Sequence, residues 1–247
     1  VNGYLSASIE WANNNGKPEA WKDWWYDPTA KTYYFIGKDN IIFHAVIWPA
    51  QLIGANRLYE TDPAKTLNLP YDVPANEFLN LEGQKISGSR SWAVWGLDSA
   101  ERYDPDALRY YLLANMPESK DADWSWSEFV ARNNNELVAT WGNLANRVLA
   151  FAYKNFEGEV PDPGPLRPED RELIASVNAG FASVGALLDA VKLRAALAEA
   201  LRLASEVNRY LDVRAPWSEI KADRAAAAKT VYTALKAIDS LKVIFAP

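Results

Sequence analysis

TYYFIGKDNIIFHAVIWPAQLIGA, residues 32–55, carries two different periodicities side by side. TYYFIG is a β-branched and aromatic run closed by a glycine, which predicts a strand; IIFHAVIWPAQLIGA spaces its apolar residues as a helix does. A strand feeding a helix is one unit of an α/β sheet. Upstream, GYLSASIEWANNN (3–15) and PEAWKDWWYD (18–27) predict two short helices, with Pro18 suited to a first helical turn and Trp11, Trp21, Trp24 and Trp25 reading as packing. Downstream, EFLNLEG (77–83) predicts a second strand running into the polar segment QKISGSRS (84–91), and DPDALRYYLLANMP (104–117) a helix begun by Asp104 and Pro105. The character changes at Ser125. Four long amphipathic stretches follow, at 125–156, 167–192, 193–213 and 223–243, and they predict an antiparallel helical bundle, with the Pro-rich link at 161–168 joining helix to helix. The fold expected is therefore an α/β portion over residues 1–124, incomplete as a sheet, and an all-α bundle over 125–247.

Composition narrows the function classes. A chain of 247 residues with 49% hydrophobic and 23% charged residues has the make-up of a globular protein, and no apolar run approaches membrane-spanning length, so no membrane partner is expected. Zero cysteines exclude disulfides, thiolate nucleophiles and Cys-ligated zinc, and a single histidine excludes sites built from histidine pairs; no metal site is expected within the chain. Neither a signal peptide nor a transit pattern is visible from Val1 onward, which makes a cytoplasmic setting the default expectation. The one methionine is Met116, and the absence of an initiator suggests a piece of a longer protein. The net charge of -6 argues against a general basic field for coating nucleic acid. Because the acidic excess lies wholly in residues 1–124, a polyanion fits the second half better.

Three groups of residues carry chemistry. Lys85, Ser87, Ser89 and Arg90 concentrate cationic and hydroxyl donors around Gly88 just after a strand, where a loop can surround phosphate oxygens and stabilise charge developing on a leaving pyrophosphate; a solvated surface loop explains the same residues. In FIGKDNIIFH (35–44), Gly37 permits close backbone approach and Asp39 sits at the carboxyl end of a strand, the edge where α/β sheets bind ligands and where a carboxylate can hold a ribose hydroxyl or an ammonium group. His44 lies four residues beyond Asn40 and Trp48 four beyond His44; a core histidine beside an aromatic is the plain alternative. In the helical half, Asn143 and Arg147 share a helix face and can offer amide and guanidinium donors to an unpaired base, while Trp217 after Pro216 offers a stacking surface. An interhelical hydrogen bond and a Trp filling a bundle end account for the same spacing.

The order of GYLSASIEW (3–11), YYFIGKDNIIFH (33–44), ANEFLNLEGQKISGSRSWAVW (75–95), DALRYYLLANMPESKDADWSW (106–126), NELVATWGNLANRV (135–148) and APW (215–217) resembles the methionyl-tRNA synthetases, a class I aminoacyl-tRNA synthetase family. The resemblance implies an ATP-dependent methionine-tRNA ligase. In it, the methionine carboxylate attacks the ATP α-phosphate, and the methionyl group then passes from the adenylate to the terminal ribose of tRNA-Met. Its substrates are methionine, tRNA-Met and ATP with Mg2+. By matching position KISGSR looks like the family's KMSKS loop, with Lys85, Ser87 and Ser89 as its lysine and serines and Gly88 where the second lysine stands, which moves the expected phosphate contact to Lys85 and Arg90. Tyr4, Gly37, Asp39, His44 and Trp48 are implied to line the ATP and methionine pocket, with Asp39 on the adenosine ribose and His44 shaping the methionine end. Asn143, Arg147, Pro216 and Trp217 match anticodon-reading positions. The family's HIGH motif and its inserted zinc-bearing or zinc-derived domain have no counterpart here. The expectation is thus a carboxyl-terminal part that is inactive without the HIGH-bearing amino-terminal half. A non-catalytic tRNA-binding or scaffold protein derived from a synthetase is the alternative, to which Gly88 lends itself.

Overall fold

The computed structural model describes residues 3–246. The chain packs as two compact units, Val1–Leu79 with Pro117–Ala122, and Asn80–Met116 with Asp123–Pro247.

In the first unit, α1 (Gly3–Asn14) and α2 (Lys22–Trp25) precede β1 (Ile36–Gly37), which pairs in parallel with β2 (Ala75–Asn76) in the register Ile36↔Ala75 and Gly37↔Asn76. The strand expected over TYYFIG contracts to these two residues and a bridge at Tyr33↔Asp72. Its partner segment explains the loss: Tyr34 N donates to the Asp72 carbonyl and Ile36 N to the Pro74 carbonyl, but Pro74 has no N–H to return. The helix expected over 18–27 contracts as well, to α2, because the residues before it close tight turns, Ala20 N to the Lys17 carbonyl and Lys22 N to the Glu19 carbonyl. After β1 come a 3-10 turn (Lys38–Asn40), a π-helical turn (Phe43–Ile47) and α3 (Trp48–Tyr59). The widened turn lies just ahead of Pro49, whose ring would clash with the carbonyl four residues back in a regular α-helix. A core of Leu5, Ala12, Trp21, Trp25, Tyr34, Trp48, Leu52 and Leu67 holds the unit. On the 41–48 stretch the residues turned inward are His44 and Trp48, while Ile41, Ile42, Phe43 and Val46 are exposed.

The strand expected over 77–83 contracts to β3 (Leu79–Leu81), which sits between β4 (Gln84–Lys85) and β5 (Ala122–Trp124) in a second sheet. Glu82 (φ 48°) and Gly83 (φ 73°) close the antiparallel β3–β4 hairpin, the two positive φ values matching the strand twist as a type I′ turn does. In the second unit α4 (Gly96–Arg102) and α5 (Pro105–Ala114) follow, the latter capped by Asp104, whose carboxylate accepts from Asp106 N at 2.8 Å. Tyr111, Trp124, Trp126 and Phe129 then pack edge to face or stacked, with centroids 5.0–5.9 Å apart.

The bundle begins with α6 (Trp126–Arg132), which passes through a π-helical stretch (Asn133–Gly142) into α7 (Asn143–Asn155). At the junction, buried Asn133 donates from Nδ2 to the Phe129 carbonyl at 2.9 Å, taking a helix acceptor. Three further helices complete it: α8 (Pro168–Asp189), α9 (Leu193–Arg214) and α11 (Arg224–Ile244), with the short α10 (Pro216–Glu219) between the last two. Leu144, Val148, Val177, Leu203, Val207, Leu211 and Leu241 form its core. Gly180 lies where a Cβ would come 2.4 Å from Leu203 Cδ1 and 3.0 Å from Ile244 Cδ1, so α8, α9 and α11 meet closely there.

Candidate functional site

The first candidate site is an aromatic and imidazole cluster in the first unit. π-Helical winding carries His44 inward, and its Nδ1 sits 3.0 Å from the Asn40 carbonyl, which can only accept, so Nδ1 bears a hydrogen. Nε2 lies 2.9 Å from the Tyr4 hydroxyl, brought there by α1. Trp48 donates from Nε1 to the Tyr34 hydroxyl at 2.9 Å. The Tyr4 ring stands edge-on to Tyr34 at 5.1 Å and to Trp48 at 5.9 Å. Burial pushes the Tyr34 phenol above its ordinary value, so it serves as a neutral hydrogen-bonding group. Tyr4, His44 and Trp48 are thus brought together, and Tyr34 is the member sequence reasoning passed over. It was visible only as one aromatic among several in a strand.

Gly37 and Asp39 flank the same stretch. Gly37 has φ −83° and ψ 152°, which any residue adopts, and nothing lies within 4 Å of the place a Cβ would take. Its own backbone does not demand glycine, and the space above it is open. Asp39 is exposed in the 3-10 turn after β1. That turn is held by Lys38, whose ammonium bonds the Glu77 carboxylate and lies 3.3 Å from Asp121, while Asp121 also accepts from Phe78 N at 3.0 Å. Hydrogen bonding to Glu77 and Asp121 holds the Lys38 ammonium above the usual lysine range. Lys38, Glu77 and Asp121 were missed as a group, since up to 83 residues separate them in the chain.

The KISGSR loop belongs to the second unit. Lys85 ends β4, and Ser87 and Trp92 form an antiparallel bridge, Ser87 N to the Trp92 carbonyl at 2.8 Å and Trp92 N to the Ser87 carbonyl at 3.0 Å. Between them Gly88–Arg90 makes a 3-10 turn, ended by Ser91 in the left-handed region at φ 52°. Ser87 and Ser89 hydroxyls are 3.2 Å apart, and Lys85, Ser89 and Arg90 are exposed. A Cβ on Gly88 would lie 3.7 Å from the Trp95 ring, ordinary contact, so a side chain fits there. The result is a closed, donor-rich loop on a hairpin.

In the bundle, Arg147 reaches across from α7 to α9. Its Nη2 donates to Asn208 Oδ1 at 3.0 Å, its Nη1 lies 3.3 Å from Asp212 Oδ1, and its guanidinium carbon stands 5.3 Å from the centre of the Trp217 ring. Nε is buried without a hydrogen-bond partner among the described residues. Pro216 is buried at the start of α10, while Trp217 next to it is 41% exposed, which leaves an aromatic face in solvent beside a cation. Asn143 is exposed one turn earlier on α7. Asn208 and Asp212 were missed, although their i, i+4 spacing on a predicted helix is the signal that marks a polar stripe. Among the described residues no cluster of His, Asp or Glu is arranged to hold a metal ion, and no helix is long and apolar enough to cross a membrane.

Comparison with known proteins bears on both units. The sequence model of a family described as class I tRNA synthetases of the M type matches residues 1–149, and that of the anticodon-binding domain of methionyl tRNA ligase matches 160–247. Methionine–tRNA ligase of Thermomicrobium roseum is 57% identical over all of this chain, which covers 41% of the relative's length. The enzyme of the same name from Roseiflexus castenholzii is 56% identical, again over all of the chain and 41% of its own length. Among solved structures, Mycobacterium tuberculosis methionyl-tRNA synthetase bound by methionyl-adenylate superimposes with a TM-score of 0.77 at 31% identity, over 88% of this chain and 41% of that one. The chain therefore spans about two fifths of the length of the relatives it matches. With a synthetase match over more than half its residues, the chain belongs to the class I tRNA synthetases of the methionyl type.

Proposed function

We propose that this chain serves methionine–tRNA ligase chemistry, supplying part of the methionine and ATP site and the whole of an anticodon reader. The observation that carries the reading is the Arg147 guanidinium 5.3 Å from a half-exposed Trp217 ring, a stacking face and a cation side by side on the bundle. An unstacked anticodon base can lie on such a face while Asn143 and Arg147 donate to its edge. Tyr4, His44 and Trp48 form a wall of rings suited to a thioether side chain, which sulfur–aromatic contact favours. Exposed Asp39, beside the open space over Gly37, holds the adenosine ribose. Lys85, with Ser87, Ser89 and Arg90, meets the phosphates of ATP, which arrives as its Mg2+ complex, and stabilises the charge that develops as the methionine carboxylate displaces pyrophosphate from the α-phosphate. The methionyl group then passes to the terminal ribose of tRNA-Met. The reaction is assigned to the chain joined to the HIGH-bearing segment that the family resemblance implies; a cytoplasmic setting goes with this reading.

Binding of the chain to tRNA-Met and to the same tRNA with an altered anticodon tests the proposal. Preference for CAU, lost in Trp217→Ala, is the expected result; equal binding of both tRNAs overturns the reader. Gly88, standing where a second lysine is expected, supports the second reading, a tRNA-binding scaffold without catalysis. Methionine-dependent ATP–pyrophosphate exchange in the joined protein separates the two.

A further inference from the structure

Trp217 stands on α10, four residues long, joined to α9 through Ala215 in the left-handed region at φ 45° and ψ 59°. A single turn cannot hold its own direction, and a non-glycine residue at positive φ is conformationally costly, so something outside α10 fixes it. Pro216 is buried, and the other anchor is Glu219 at the far end of the turn. One Glu219 oxygen lies 3.7 Å from Arg167 Nη1, and the other accepts from the Thr230 hydroxyl at 3.2 Å. Arg167, in turn, donates from Nη2 to Thr230 Oγ1 at 2.8 Å and to the Tyr210 hydroxyl at 3.2 Å, and from Nε to Asp170 at 2.9 and 3.1 Å. Asp170 is fully buried and also accepts from Tyr210 at 2.6 Å and from Arg167 N at 2.8 Å. One guanidinium thus ties the start of α8 to α9, α10 and α11. Such a network costs desolvation that an apolar cluster of the same volume would avoid, which points to a geometric role.

We propose that Arg167, seated by Asp170 and acting through Glu219 and Thr230, is the positioning residue of α10: it sets where Trp217 stands relative to Arg147 and thereby how sharply the anticodon is discriminated. The proposal rests on the anticodon reading above, and its test separates the two. Chains labelled with 5-fluorotryptophan report the Trp217 environment, its resonance being assigned by Trp217→Phe. Glu219→Ala removes the anchor while leaving the Arg167–Asp170–Tyr210 core intact, and alanine favours the helix, so α10 itself is not weakened. Glu199→Ala, which breaks the Arg202 pair on α9, is the control for losing an ion pair in the same bundle. Glu219→Ala is expected to broaden or shift the Trp217 fluorine line and to lower the ratio of affinities for CAU and altered anticodons by about two- to fivefold, the scale of one partly exposed ion pair; Glu199→Ala is expected to do neither. A Trp217 line and an affinity ratio both at wild type in Glu219→Ala overturn the clamp. Should Trp217→Ala itself leave the ratio unchanged, the anticodon reading falls, and the fluorine line alone decides whether Glu219 positions the ring.

Discussion

His44 is the chain's one imidazole, and both of its nitrogens are engaged, with Asn40 at 3.0 Å and Tyr4 at 2.9 Å. Removing the Tyr4 hydroxyl strands a buried ring nitrogen, which costs about 1–2 kcal/mol. Tyr4→Phe is therefore expected to lower the denaturation midpoint of the first unit and, in the protein joined to a HIGH-bearing segment, to raise KM for methionine with little change in kcat, because the tyrosine orients and does not react. A midpoint unchanged in urea would show that water replaces the hydroxyl. Half of this arrangement was legible: the four-residue spacing placed His44 over Asn40, where the structure finds their hydrogen bond. Tyr4, forty residues away, entered by family resemblance, since nothing local specifies which ring will meet His44. Lys85 is a different case, for the role proposed for it rests on charge that appears in the transition state. Lys85→Ala in the joined protein is expected to slow methionine-dependent ATP–pyrophosphate exchange by about a hundred- to a thousandfold, the effect of losing one such donor. Exchange at the wild-type rate would remove Lys85 from the chemistry.

At the scale of elements, the long helices were readable because their apolar faces repeat over several turns, whereas the strands were not, because their lengths depend on the partner. Pro74, opposite β1, cuts a six-residue aromatic run down to two paired residues. The start of α8 shows the same division. RPED announces a helix beginning, but that Asp170 would meet Tyr210 and Arg167 reach Thr230 is a property of helices packed 40 and 63 residues apart in sequence. Burial pushes the Asp170 carboxyl up, but hydrogen bonds from Arg167 and Tyr210 more than offset it, and the carboxyl ends below its ordinary value. Burial, and after it the same contact with Asp170, pushes the Tyr210 phenol up to about 12. A folded-state value below the unfolded one means that the stabilisation is complete above the ordinary aspartate range and drains away as pH falls through the lowered value. The second unit is thus expected to lose stability on acidification below about pH 4. Asp170→Asn should flatten that acid limb while costing about 3 kcal/mol at neutral pH, since it leaves the Arg167 guanidinium without its nearest counter-charge. Urea denaturation between pH 3 and 7 checks both, and parallel curves for the two proteins would count against Asp170 as the source. Farther along the same helix, Gly180→Ala would force the buried Leu203 from its place; overpacking of about 1–3 kcal/mol, less the roughly 1 kcal/mol that alanine contributes to helix stability, leaves a net loss visible as a lower thermal midpoint.

Across the whole molecule the charge is arranged against indiscriminate attraction to nucleic acid. The net charge is -6, and the acidic excess lies in the first half. Even the cation of the proposed reader is compensated, Arg147 being 3.3 Å from Asp212. Stacking and directed hydrogen bonds must therefore supply most of the affinity for an anticodon, with few phosphates neutralised. Each neutralised phosphate of a single strand contributes about −0.7 to the slope of log K against log salt, so a slope between about −1 and −2 is expected. Trp217→Ala should weaken binding by about 1–3 kcal/mol, the worth of one base stacked on an aromatic ring, and leave that slope where it was, because no charge has been removed. Arg147→Gln should weaken binding less at high salt than at low, with the slope reduced by at most one phosphate's share. A slope near −5 with no anticodon preference would mean that the chain holds tRNA through scattered lysines and arginines, and that the cation and ring brought together on the bundle do something other than read bases.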